Sequence, residues 1–122
     1  MFSSNLPFGK RAEELACEYL KKQGLEIVAR NIRRSGAEID IVAKDKNVVC
    51  FIEVKARTSD KFGLPQEAID IKKRTKIIHA AEAFLEEQNW LDCVCRFDVL
   101  AIRLSGNSII YEYIKDAFQI ER

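Results

Sequence analysis

The sequence predicts an α/β domain with a mixed central sheet flanked by helices. Three observations lead there. Apolar residues recur at helical spacing in two stretches and at strand spacing in five. The strands fall into a group of three and a group of two, separated by the second helix, with polar turns at Asp45-Lys46-Asn47 and Ser105-Gly106-Asn107. A chain of 122 residues with 48% hydrophobic content can bury one real core, so residues 1–122 read as a single domain.

Taken in order, Gly9 to Gln23 is the first helix, stopped by Gly24. Ala12, Leu15, Ala16, Tyr19 and Leu20 make its apolar stripe. At about 100° per residue, Glu13 falls at the edge of that stripe, while Glu14 and Glu18 fall on the solvated side. Leu25 to Ile32 is a short strand, followed by a basic turn from Arg30 to Gly36. Ala37 to Lys44 is the next strand, with Glu38, Asp40 and Val42 on one face and Ile39, Ile41 and Ala43 on the other.

Val48 to Ala56 is the strand on which the rest turns. Within Phe51-Ile52-Glu53-Val54-Lys55, Glu53 and Lys55 share one face, and Cys50, Ile52 and Val54 share the other. A salt-bridged face of a half-exposed sheet also looks like this, so the neighbours decide. If Asp45 pairs with Val48 across a Lys46-Asn47 turn, Asp40 lies opposite Glu53 and Glu38 opposite Lys55. A one-residue slip would bury the charges and expose the apolar side chains. Asp40, Glu53 and Lys55 are therefore expected to converge.

Arg57 to Leu64 reads as a loop ending at Pro65, a residue suited to a helix's first turn. The long helix after it runs to Gln88, bent near Asp70, with Ala68, Ile69, Ile77, Ile78, Ala81, Phe84 and Leu85 apolar. Lys72, Lys73, Arg74 and Lys76 cluster near its beginning. Cys93 to Leu104 and Ser108 to Ile114 form the last hairpin, and Ala117, Phe118 and Ile120 dock against the sheet.

Composition narrows the function. A charged fraction of 32% at net charge +1 argues against binding nucleic acid by bulk positive charge, so any basic surface is local. No apolar run approaches the roughly 20 residues that span a bilayer, and Met1 to Pro7 lacks signal-peptide character. A cytoplasmic protein is expected. Cys17, Cys50, Cys93 and Cys95 lack zinc-ligand spacing and read as buried free thiols. His79, the only histidine, is expected at a packed or surface position of the second helix, which leaves no triad, and there is no phosphate-binding glycine loop.

What remains is the acidic pair and its lysine. Facing carboxylates suit a hard divalent cation, and magnesium takes one or two of them, leaving its other positions to water and phosphate. Asp40 and Glu53 are the candidate ligands for Mg2+ or Mn2+. Lys55 can orient the attacking water or hold a phosphate as a point charge. Glu13 could complete the metal's shell, with Glu38 behind it. Lys72, Lys73, Arg74 and Lys76, with Arg57 after the strand, are the candidate nucleic-acid contacts.

Gly9-Lys10-Arg11-Ala12-Glu13, Glu38-Ile39-Asp40, Phe51-Ile52-Glu53-Val54-Lys55-Ala56-Arg57 and Arg96-Phe97-Asp98-Val99 resemble, in order and spacing, the YraN-like bacterial proteins. The resemblance covers nearly the full chain. It implies the restriction-endonuclease-like fold of the PD-(D/E)XK superfamily, which also contains archaeal Holliday-junction resolvases. Carried across, the superfamily's aspartate falls on Asp40, its acidic position on Glu53, its lysine on Lys55 and the helix-one glutamate on Glu13. Ile39 stands where the superfamily motif has proline. Ala12 and Ala37 stand where YraN-like proteins have glycine.

The expectation is a metal-dependent endonuclease acting on DNA, with branched or damaged DNA among its candidate substrates. The alternatives are a non-catalytic nucleic-acid-binding module and an interaction subunit of a DNA-processing complex. A homodimer or a protein partner is compatible with either.

Overall fold

The computed structural model describes residues 8–58 and 71–119. The expected loop from residue 59, the helix start from Pro65 to the bend at Asp70, and Ile120 lie outside the described residues.

Helical spacing does in α1 (Phe8–Lys22) what it predicts: Ala12, Leu15, Ala16 and Leu20 are buried, joined by Cys17. Gly24, at φ 93°, ends it, and the amides of Gly24 and Leu25 donate back to the carbonyls of Lys21 and Leu20 at 3.0 Å. Five strands stand side by side in chain order: β1 (Glu26–Arg34), β2 (Ala37–Asp45), β3 (Val48–Arg57), β4 (Cys95–Ser105) and β5 (Ser108–Phe118). β3 and β4 run parallel and all other pairs antiparallel. α2 (Ile71–Gln88) lies in the connection between those parallel strands, which need a crossover. The sheet is mixed, as expected, and the architecture is compatible with a restriction-endonuclease-like core.

Several boundaries differ from the expectation. The basic segment after Arg30 is strand as far as Arg34, and only Ser35-Gly36 turns, at φ 52° and 77°. Pairing of Arg30 with Ile41, Ile32 with Ile39 and Arg33 with Glu38 supplies backbone hydrogen bonds that outweigh the local turn signal. β5 continues to Phe118, whose ring stacks on Phe97 at 5.0 Å. β4 begins at Cys95, so Cys93 is exposed, whereas Cys17 and Cys50 are buried free thiols. His79 lies on the exposed side of α2.

The sheet is cored on both faces. Between it and α2 lie Ile39, Val42, Val49, Phe51, Ile77 and Val99, with Phe84 edge-on to Phe51 at 6.2 Å. Between it and α1 lie Ile41, Ala43, Cys50, Ile52, Leu100 and Ile102. Each large apolar side chain fully buried in this way contributes about 1.5–3 kcal/mol. Glu53 and Lys55 therefore share their face with Val49 and Phe51 and stand at the far end of a packed layer.

The expected face assignment of β2 is corrected at one place. Ile39 and Ile41 are two residues apart yet lie in opposite cores, while Val42 joins Ile39. Strict alternation breaks at Asp40, because there the strand stops pairing through its backbone. The β2–β3 register runs from Asp45–Val48 to Ile41–Ile52 and ends. At the next position the Asp40 carboxylate accepts the Val54 N–H at 2.8 Å. Across β1, Asn31 takes a left-handed φ of 51°, which asparagine tolerates better than most residues. Among the described residues no helix is long and apolar enough to cross a membrane.

Candidate functional site

The splay of β2 from β3 creates the site. A two-residue turn at Lys46-Asn47 and the alternating pattern fix the hairpin, so Asp40 and Glu53 arrive together where the ladder ends. Glu53 is 5% exposed, and its Oε1 has no hydrogen-bond partner. An acid this deep is costly unless it is protonated, paired or bound to a cation. Its carboxyl is pushed up to about 8, first by burial and then by the Asp40 charge, with Lys73 and Lys55 opposing. Asp40 is also raised, chiefly by burial, against the pull of the Val54 N–H. The two carboxyls are close enough to act on each other, the Asp40 charge opposing ionisation of Glu53.

The lysine side of the site has the opposite shift. Lys55 is half-buried and lowered, first by burial and then by the neighbouring Lys73 amine, while Glu53 and Asp40 oppose. Lys73 comes from α2, and with Lys76 it lines a cleft of about 430 Å³ shared with Glu38, Asp40, Glu53, Val54 and Lys55. A second cleft, of about 620 Å³, lies toward α1 and is lined by Gly9, Lys10, Glu13, Asn31, Glu38 and Asp40, among others. Asp40 and Glu38 border both.

Glu13 is the half-buried acid of α1, as its place on the helix predicts, and Glu14 and Glu18 are exposed. One carboxylate oxygen each from Glu13, Glu38 and Asp40 lie within 4.8 Å of one another. The Asn31 amide donates to Glu13 at 3.3 Å, and with its oxygen and nitrogen exchanged, the orientation that satisfies both atoms, it donates to Glu38 at 3.2 Å as well. Glu38 thus stands beside Glu13 and Asp40 in this cluster. The donor set is all oxygen, with an unpartnered buried carboxylate oxygen at Glu53, which fits a hard divalent cation.

The remaining candidates are dispersed. Lys72 is exposed on α2, and Arg74 sets its guanidinium over the Phe118 ring at 5.5 Å. Arg57 ends β3 opposite Arg103 of β4. Sequence reasoning placed Lys73 in a basic patch and missed its position beside Lys55. The available signal was helical spacing: Lys73, Lys76 and Ile77 form one stripe, and Ile77 is a core position. It also missed Asn31, a weak strand former in the middle of an otherwise extended run.

Comparison with known proteins places this geometry in a family. Residues 12–102 match the model of "Uncharacterised protein family UPF0102". A UPF0102 protein of Chlorobium chlorochromatii is 40% identical over 126 residues, spanning 98% of this chain and 97% of its own length. One of Geobacter metallireducens is 42% identical, covering 95% of each chain, and one of Desulforapulum autotrophicum is 44% identical, covering 93% of each. The chain belongs to the UPF0102 family, the YraN-like proteins.

Proposed function

We propose that this chain is a divalent-metal-dependent endonuclease that hydrolyses phosphodiesters in DNA, with branched or damaged DNA among its substrates. The observation that carries the reading is the buried Glu53 carboxylate, one oxygen unpartnered, against Asp40 and two residues from Lys55. Asp40 and Glu53 would hold Mg2+ or Mn2+, with Glu13 and Glu38 on the α1 side of the same aspartate. The cation, when bound, supplies a more acidic water and neutralises charge developing on the phosphate. Lys55 holds its ammonium toward that charge, and its half-buried setting strengthens the interaction. Lys72, Lys73, Arg74, Lys76 and Arg57 are the candidate contacts to the DNA backbone.

The net charge of +1 favours a second reading, in which a partner protein or a second copy helps to hold DNA and this chain binds without cleaving. One assay separates the two. Linear, flapped and four-way DNA, with an RNA control, is incubated with the protein in magnesium or manganese. Cleavage is expected in wild type. Lys55→Ala should lower the rate by about a hundredfold, with DNA affinity nearly unchanged. Lys55→Arg should not restore it, because a planar guanidinium aims its donors differently. Absence of cleavage on every substrate, with DNA binding indifferent to Lys55, would leave the binding module in place of the nuclease.

A further inference from the structure

Asn31 stands at the rung where two strands of the sheet change face. The β1–β2 pairing sets Arg30 against Ile41 and Ile32 against Ile39, so Asn31 lies across from Asp40 between them. Ile41 is buried beneath α1, whereas Ile39 and its partner Ile32 belong to the core beneath α2. Both strands therefore turn over at this one rung. β2 does so where the Asp40 carboxylate takes the Val54 N–H, and β1 through the left-handed backbone of Asn31, at φ 51°.

A left-handed residue inside a strand calls for glycine or a short polar side chain. Glycine would satisfy the backbone alone. Asparagine adds an amide, and that amide lines the α1 cleft together with Glu13, Glu38 and Asp40. Glu13 accepts from it in either orientation of the amide, at 3.3 Å in one of them. Glu38 is also held from β1 by the Arg33 guanidinium, at 2.9 Å. Carboxylate oxygens of Glu13, Glu38 and Asp40 lie within 4.8 Å of one another, and like charges this close repel. A neutral donor on Glu13 fixes its direction without cancelling the charge that a cation needs.

We infer that Asn31 is a positioning residue of the site: its amide holds Glu13 of α1 beside Asp40, where Glu13 strengthens the grip of Asp40 on a divalent cation. The left-handed rung aims the amide, so one residue both turns the strand and orients an acid from another element. This rests on the metal-dependent reading of the site and adds to it a residue that touches neither metal nor substrate.

The test is isothermal titration of the full chain with manganese, in wild type, Asn31→Gly, Glu13→Gln and the double variant. Glycine keeps the left-handed backbone accessible while removing the amide, and circular dichroism and urea midpoints check that each chain is folded. Asn31→Gly should bind manganese about tenfold more weakly, the usual loss when a hydrogen-bond partner of a metal-binding carboxylate is removed. Glu13→Gln should also bind more weakly, and adding Asn31→Gly to it should cost nothing further, because the amide acts through that carboxylate. A merely structural role would cost the same in both backgrounds. Wild-type affinity in Asn31→Gly overturns the proposal and leaves Asn31 serving the backbone alone. A further tenfold loss on top of Glu13→Gln, or wild-type affinity in Glu13→Gln itself, also overturns it, with the cation site of Asp40 and Glu53 left standing. Wild type that binds no manganese sinks the metal-dependent reading itself, and the role of Asn31 with it.

Discussion

Glu53 is where stability and chemistry oppose each other. Its carboxyl is raised to about 8 in the metal-free protein, so the folded chain holds the proton more tightly than the unfolded chain does. Stability present below the ordinary glutamate range is therefore lost as pH rises toward 8, at most about 1.4 kcal/mol per pH unit for this one proton. Asp40 is shifted the same way and adds to the same slope. Urea unfolding in EDTA should show stability falling between about pH 5 and about pH 8. Glu53→Gln should flatten the fall and exceed wild type at the upper end. Magnesium should restore wild type there and do little for the variant, since the cation displaces the proton. A variant profile parallel to wild type would place the slope on other groups. Stability that improves when Glu53 is removed is what a residue kept for its chemistry should show.

At the scale of elements, a buried polar network locks the last hairpin. Asp98 of β4 is fully buried and accepts from the Arg96 guanidinium at 3.0 and 3.1 Å, from the Tyr113 hydroxyl and from the Asp116 N–H at 2.8 Å. Arg96 also reaches Asp45, at the β2–β3 turn, at 3.1 Å. Asp98→Ala would leave the Arg96 guanidinium with Asp45 as its remaining carboxylate and the Tyr113 hydroxyl without its acceptor, and should cost about 3 kcal/mol, read as a lower urea midpoint. Manganese affinity measured where the variant is still folded should be unchanged, because Asp98 lies outside the acidic site. Arg96-Phe97-Asp98-Val99 was legible in the sequence as part of a family pattern, but this fastening role was not, since it depends on Tyr113 and Asp116 from the neighbouring strand. The hairpin register was legible because a two-residue turn and side-chain parity specify it together. The break at Asp40 was not: a side chain there takes over a backbone partner, which no alternation pattern reveals. Lys73 lay within reach of spacing arguments, but its meeting with Lys55 needed the crossover placed in three dimensions.

Across the whole molecule, the two cores hold the sheet from both sides and leave the acidic residues at the point where β2 and β3 part. The sequence reading expected one apolar face and one charged face, and it underestimated how much of the charged face is core. Val49 and Phe51 belong beneath α2, so the helix that covers them also carries Lys73 into the site. Asp40 stands between the two clefts, with Glu13 and Glu38 beside it toward α1 and Glu53 lining the α2 cleft, so the proposed divalent cation is held by Asp40 and Glu53. Isothermal titration of the full chain with manganese tests this directly. Wild type should bind, and Asp40→Ala and Glu53→Ala should each abolish the binding while remaining folded. Manganese binding unchanged in both variants would contradict the cation site, and with it the metal-dependent nuclease.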